Sequence, residues 1–199
     1  RWNAELSREL AARELLGKLK RSEHHTGHAA AAWLGSGFDR ALVVTLDGYG
    51  SGLAGSVSLA ESGALRRLAA LSFPHSLGSF YEMVTSSLGF HPDRHAGKSV
   101  GLAAYGDPRV LAPVLLARVE RFPGGFRLLD NLNVFFSRHL AARYPMVDVA
   151  AAWQHVLELL ASEVVAHWVK ATGCDRLVRS GGGAANVKLD SGGQPIIKG

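Results

Sequence analysis

Three histidines stand close together in Glu23-His24-His25-Thr26-Gly27-His28. On a helix, His24 and His28 are at i and i+4, so both imidazoles project from one face, the spacing with which two histidines share a metal ion. His25 points about a quarter-turn away and is not expected to join them. The competing reading is a polar helix start with exposed histidines. A metalloprotease is set aside, because His-Glu-x-x-His needs a glutamate where His25 stands, and the base for peptide hydrolysis is therefore missing.

Asp47 follows the apolar run Ala41 to Leu46. An acid at a strand end suits metal or phosphate work, and Gly48, Gly50 and Gly52 after it would let backbone N–H groups approach an anion. Taken alone, Asp47-Gly48 reads first as an ordinary hairpin turn. Ser180-Gly181-Gly182-Gly183-Ala184-Ala185-Asn186 is a glycine loop that could present N–H groups and a helix N-terminus to phosphates or a nucleotide. It matches neither the dinucleotide fingerprint nor the Walker loop, and a tight turn explains it as well. In Gly97-Lys98-Ser99-Val100-Gly101-Leu102-Ala103-Ala104-Tyr105-Gly106, Lys98 could neutralise a phosphate and Tyr105 could cap a pocket, although a structural loop accounts for the same residues.

The elements that must hold these groups follow from periodicity and punctuation. Helices are expected over residues 5–21, 24–33, 76–88, 108–121 (with Pro113 breaking or kinking it) and 149–171, the last capped by Asp148 and ended by Gly173. Strands are expected over 41–46, 54–60, 65–73, 125–130 and 176–179, with a strand-like Pro195-Ile196-Ile197 near the end. Residues 47–52 and 61–63 read as turns, and 91–106 as loop. This order points to an α/β fold with a mixed sheet. The chain opens on Arg1 inside a helical pattern and stops at Gly199, so it reads as the core of something longer.

Composition narrows the function classes. Apolar residues make up 47% of the 199 and charged ones 20%, which excludes disorder. The uninterrupted apolar runs fall far short of the ~20 residues of a membrane span. The 22 Lys and Arg against 17 Asp and Glu leave a net charge of +5, but the cations are scattered among acids, so nucleic acid is not expected as the ligand. The lone Cys174 excludes a disulfide framework and fits a reducing, cytoplasmic compartment.

Read together, the motifs resemble one family. They are His-His-Thr-Gly-His-Ala-Ala-Ala-Ala (24–32), Ser-Gly-Phe (36–38), Val-Thr-Leu-Asp-Gly-Tyr-Gly (44–50) and Pro-His-Ser-Leu-Gly-Ser-Phe-Tyr (74–81). Further along come Leu-Gly-Phe (88–90), Gly-Lys-Ser-Val-Gly-Leu-Ala-Ala-Tyr-Gly (97–106), Asp148 with Ala-Ala-Ala-Trp-Gln (150–154), and Gly-Gly-Gly-Ala-Ala-Asn (181–186). Their order resembles the O-carbamoyltransferases of nodulation-factor and antibiotic biosynthesis, whose main domain is similar to the tRNA threonylcarbamoyl-transfer proteins.

The resemblance implies an actin-like ATPase (ribonuclease H-like) fold, here incomplete. It implies His24, His28 and Asp47 as ligands of iron(II) or zinc, and Gly182, Gly183 and Asn186 at an adenine nucleotide. Carbamoyl phosphate and ATP would form a carbamoyl-adenylate, stabilised in part by Lys98, and a small-molecule hydroxyl (a sugar or another natural product) would take the carbamoyl group. A homodimer is compatible with this reading. Val100 stands where the family usually has Met. The family's first strand, a further metal-binding aspartate and the smaller C-terminal domain are expected outside this chain. The alternative is a non-catalytic nucleotide-binding module of the same fold.

Overall fold

The computed structural model describes residues 2–186, so the strand expected at 195–197 lies outside the described residues. The first helix, α1 (Trp2–Ala12), buries no side chain. The helix expected over 5–21 stops at Ala12; Glu14 then takes a left-handed φ of 55°, and a short 3-10 turn spans Leu16–Lys18. Next comes α2 (His24–Ser36), opened by Glu23 and ended by Gly37, whose φ of 71° suits only glycine without strain.

A meander follows: β1 (Ala41–Gly50), β2 (Leu53–Glu61) and β3 (Ala64–Ser72). The hairpin turns are Ser51-Gly52 (φ 53° and 84°) and Ser62-Gly63 (φ 52° and 76°). Both central residues of each are left-handed, the turn whose twist matches paired strands. This corrects the hairpin reading of Asp47-Gly48, because β1 continues past them. The pairing with β2 is regular from Ala41 to Leu46, breaks, and resumes at Gly50. Asp47 and Gly48 sit in that break, where the strand is released from its ladder.

The helices α3 (Leu77–Ser87) and α4 (Pro92–Ala103) come next. The second corrects the loop expected at 91–106. Glycines at 97 and 101 lower helix propensity, but Pro92 supplies a preset first position, and burial of Ser99 and Ala103 outweighs the local cost. The helix expected over 108–121 is also corrected. It is a 3-10 turn (Pro108–Val110) and the short α5 (Ala112–Leu116), with Pro113 at its start, followed by a hairpin of β4 (Val119–Phe122) and β5 (Gly125–Leu128). Then come α6 (Val134–Ala141), capped by Asn133 and not expected from the sequence, and α7 (Met146–Thr172). Asp148 lies inside the first turn of α7 instead of capping it, and its Oδ1 accepts the Asp107 N–H at 2.8 Å. Gly173 ends α7 at φ 59°, and β6 (Leu177–Ser180) leads into a 3-10 turn over Gly182–Ala185.

The sheet order is β3-β2-β1-β6, antiparallel except for β6, which runs parallel to β1. Alternate β1 residues face different layers, as the pleat requires. Leu42, Val44 and Leu46 join the large core formed with α3, α4 and α7, where Phe80 stacks on Trp153 with centroids 5.7 Å apart. Ala41 and Val43 face a smaller core with Ala29 of α2, Ala60 and Val178. The fold is thus mixed α/β with helices on both faces of a mixed sheet. Among described helices, α7 alone is long and apolar enough to cross a membrane, although most of it is buried in this core. Counting uninterrupted apolar runs missed it because Gln154, His155 and Glu158 divide the stretch.

Trp153 is fully buried at the centre of the large core. Trp153→Ala is expected to cost about 3–5 kcal/mol in urea unfolding; a loss under 1 kcal/mol would contradict this packing.

Candidate metal centre and adjoining pocket

Local sequence brings α2 to the open end of β1. Glu23 caps the helix: its carboxylate accepts the N–H groups of His25 and Thr26, each at 2.9 Å, and pairs with the guanidinium of Arg67 from β3. Burial acts to raise the Glu23 carboxyl, yet those N–H groups, Arg67 and the Thr26 hydroxyl outweigh it and hold it at about 2. The N–H of His24 donates to Ser51 Oγ in the first hairpin turn (3.3 Å). The helix therefore begins pinned to the strands.

From this start the His24 and His28 rings converge on Asp47. Oδ2 of Asp47 lies 2.8 Å from Nε2 of His24 and 3.3 Å from Nε2 of His28. One ligand atom from each of the three falls within 4.8 Å of the others. Donors sharing one ion at ~2.0–2.2 Å stand roughly 3–3.5 Å apart, so this trio is close to a binding geometry. Two imidazoles and a carboxylate fit zinc, iron or manganese. The hairpin turn and α2 leave the trio partly open to solvent.

The other oxygen of the same carboxylate looks elsewhere. Oδ1 accepts the N–H of Gly48 (2.9 Å) and the N–H of Gly182 in the glycine loop (3.4 Å). Burial alone would raise this carboxyl. The His24 bond, the two N–H groups and the charge of His28 together hold it below the ordinary range.

Glycines make the convergence possible. A Cβ on Gly50 would fall 2.1 Å from Cδ2 of His24, so the missing side chain is the seat of that ring; this, not anion contact, is its visible role. A Cβ on Gly78 would lie 2.6 Å from the Gly48 nitrogen, and one on Gly181 2.4 Å from the Leu46 oxygen. The start of α3 and the glycine loop thus press directly on the end of β1. Ser76, which caps α3, also donates its hydroxyl to the Asp47 carbonyl (2.8 Å).

Beside the trio lies a pocket of about 400 Å³, with Asp47, Gly48, Gly182, Gly183 and Asn186 in its wall. Of the residues singled out from sequence, Lys98 and Tyr105 are left aside by this arrangement; Tyr105, expected to cap a pocket, is exposed and does not line this one. Ala96, Gly97 and Val100 beside Lys98 line the pocket, whereas Lys98 is exposed with Nζ 5.7 Å from the Phe90 ring centre. Sequence reasoning missed Glu82 and Asp93 in the same wall. Burial, then the charges of Asp93 and Asp47, pushes the Glu82 carboxyl up. No local motif marks these two acids. Gln154 was visible only as the end of the 150–154 run. Its Nε2 donates to Asn186 Oδ1, and Asn186 Nδ2 donates back to its Oε1, both at 3.0 Å, while Glu158 accepts a further bond from Gln154 (2.7 Å).

The site is thus a mixed α/β sheet that brings a His-His-Asp cluster and a glycine-rich loop together at one strand end. The chain belongs to the carbamoyltransferase N-terminal family, "Carbamoyltransferase N-terminus", which it matches over residues 4–192. It is 33% identical over 177 residues to Nodulation protein NolO of Bradyrhizobium diazoefficiens, a match covering 84% of this chain and 32% of that protein. It is 32% identical over 177 residues to Nodulation protein NolNO of Sinorhizobium fredii, covering 84% and 26%. It is also 30% identical over 179 residues to the uncharacterized protein MJ1051 of Methanocaldococcus jannaschii, covering 84% and 34%. The chain therefore spans roughly a third or less of the length of these relatives.

The cap gives a pH-dependent expectation. With its carboxyl lowered from 4.5 to about 2, Glu23 contributes stability that is complete above pH 4.5 and fades as the pH falls toward 2. Glu23→Gln is expected to cost about 1–2 kcal/mol at pH 7, with the gap to wild type closing in acid unfolding curves. A gap that is independent of pH would contradict the charged cap.

Proposed function

We propose that this chain is part of the N-terminal domain of a metal- and ATP-dependent O-carbamoyltransferase. The observation that carries the reading is the division of the Asp47 carboxylate: Oδ2 faces His24 and His28, while Oδ1 accepts the N–H of Gly182 beside the pocket. One side chain thus joins a metal-type cluster to a nucleotide-type loop. The antiparallel meander β1–β3 with a parallel β6 beside β1 supports the actin-like reading of the fold.

In this proposal carbamoyl phosphate, ATP and water give a carbamoyl-adenylate with release of phosphate and pyrophosphate. A hydroxyl of a sugar or other natural product then takes the carbamoyl group, and AMP leaves. Iron(II) or zinc, when bound, supplies a positive charge that polarises phosphate oxygens. His24, His28 and Asp47 hold that charge beside the pocket; Gly182 and Gly183 offer backbone to phosphate, and Asn186, steadied by Gln154, offers its amide to the nucleotide. The lone, buried Cys174 supports a cytoplasmic setting.

Charge sharpens the reading. The carboxylates lining the pocket are Asp47, Glu82 and Asp93, beside the phenol of Tyr81, and no Lys or Arg joins them among the described lining residues. A triphosphate would be repelled by such a wall unless a cation intervened. ATP affinity is therefore expected to fall at least tenfold on chelation of divalent metal and again in His28→Ala. Pyrophosphate release from ATP with carbamoyl phosphate should disappear in the same variant. ATP binding that ignores both changes would favour the non-catalytic nucleotide-binding module instead.

A further inference from the structure

His25 lies between the two proposed ligands in sequence but points into the protein, where it is fully buried. Its Nδ1 is 3.0 Å from Thr45 Oγ1, while its Nε2 is buried without a hydrogen-bond partner among the described residues. Thr45 is fully buried too. Its Oγ1 accepts the Ser56 N–H at 2.9 Å and lies 2.9 Å from Ser56 Oγ, which ties it to β2. Thr45 also precedes Asp47 by two positions, and both side chains reach α2.

Around this contact, Ala29 and Ala32 of α2 meet Ala41, Val43, Ala60 and Val178, and the larger Trp33, Phe38 and Leu65 pack against the same small cluster. Glu23, Arg67 and Ser51 hold the exposed first turn, and Trp33 anchors the far end through Phe38. Between these ends, His25–Thr45 is a directional polar contact in the buried centre of the interface. A slip of one helical residue is a rise of ~1.5 Å and a turn of ~100°, whereas metal–ligand distances tolerate only about 0.2 Å.

We propose that His25 and Thr45 are positioning residues: their buried hydrogen bond locks α2 on β1 and thereby sets the spacing of His24 and His28 against Asp47. The inference rests on the proposed metal centre, and the test separates the two. Co²⁺ alone is titrated into the protein, following affinity and the visible d–d absorption, with thermal unfolding as the check on folding.

Wild type is expected to bind Co²⁺ and His28→Ala to lose it; no binding by wild type overturns both ideas. Thr45→Val, which keeps the shape and removes the hydroxyl, is expected to weaken binding about tenfold or more and to change the d–d bands. Thr45→Ser, which restores the hydroxyl, should return within about twofold of wild type. Should Thr45→Val not fold, His25→Ala against His25→Asn makes the same comparison, because the asparagine amide can still meet Thr45. Affinity within twofold of wild type and an unchanged spectrum in Thr45→Val or His25→Ala overturns the positioning role while leaving the metal centre standing.

Discussion

One carboxylate with two audiences governs this structure. Asp47 turns Oδ2 to a pair of imidazoles and Oδ1 to two backbone N–H groups, and each direction demands a different partner element. The helix must arrive with its histidines on one face, and the glycine loop must arrive within hydrogen-bonding range of the opposite oxygen. The interruption between Leu46 and Gly50 frees the residue at the point where both partners can reach it.

The surrounding architecture serves that meeting in two unequal ways. Beneath β1, the large core around Phe80 and Trp153 makes a stiff floor, against which Gly78 lets α3 abut the Asp47-Gly48 backbone. Above it, α2 rests on a smaller cluster of alanines and valines edged by Trp33, Phe38 and Leu65, with polar ties at its start and centre. Stiffness thus comes from bulk on one face and from a smaller cluster with hydrogen bonds on the other. The acids on α3 and α4 add a third constraint, because they make the adjoining pocket a site that favours cations or ligands carrying one.

Much of this was legible from residue types. The i, i+4 histidines required only a helix, which the alanine run supplied. The strand before Asp47 was evident from its β-branched residues, and Gly173 marked a helix end correctly. The failures share a cause. Asp47-Gly48 has the chemistry of a hairpin turn, and nothing local reveals that Ser51-Gly52 takes that task. The helix over Pro92–Ala103 is held by tertiary burial against its glycines. Lys98 carried the right charge for a phosphate, but which face of α4 meets the pocket depends on packing. Glu82 is one acid in an ordinary amphipathic helix until the fold sets it opposite Asp93 and Asp47.

The seat of the His24 ring carries an implication for comparing relatives. The space above Gly50 is occupied by imidazole to within 2.1 Å of where a methyl group would be, so this glycine is as much a condition of the His-His-Asp cluster as the three side chains themselves. A homologue with both histidines and the aspartate intact, but with alanine at this position, would look complete by its donor atoms and yet have no room for one of them. Judging which such proteins can keep the cluster assembled thus requires reading a hydrogen atom where every other residue type has carbon.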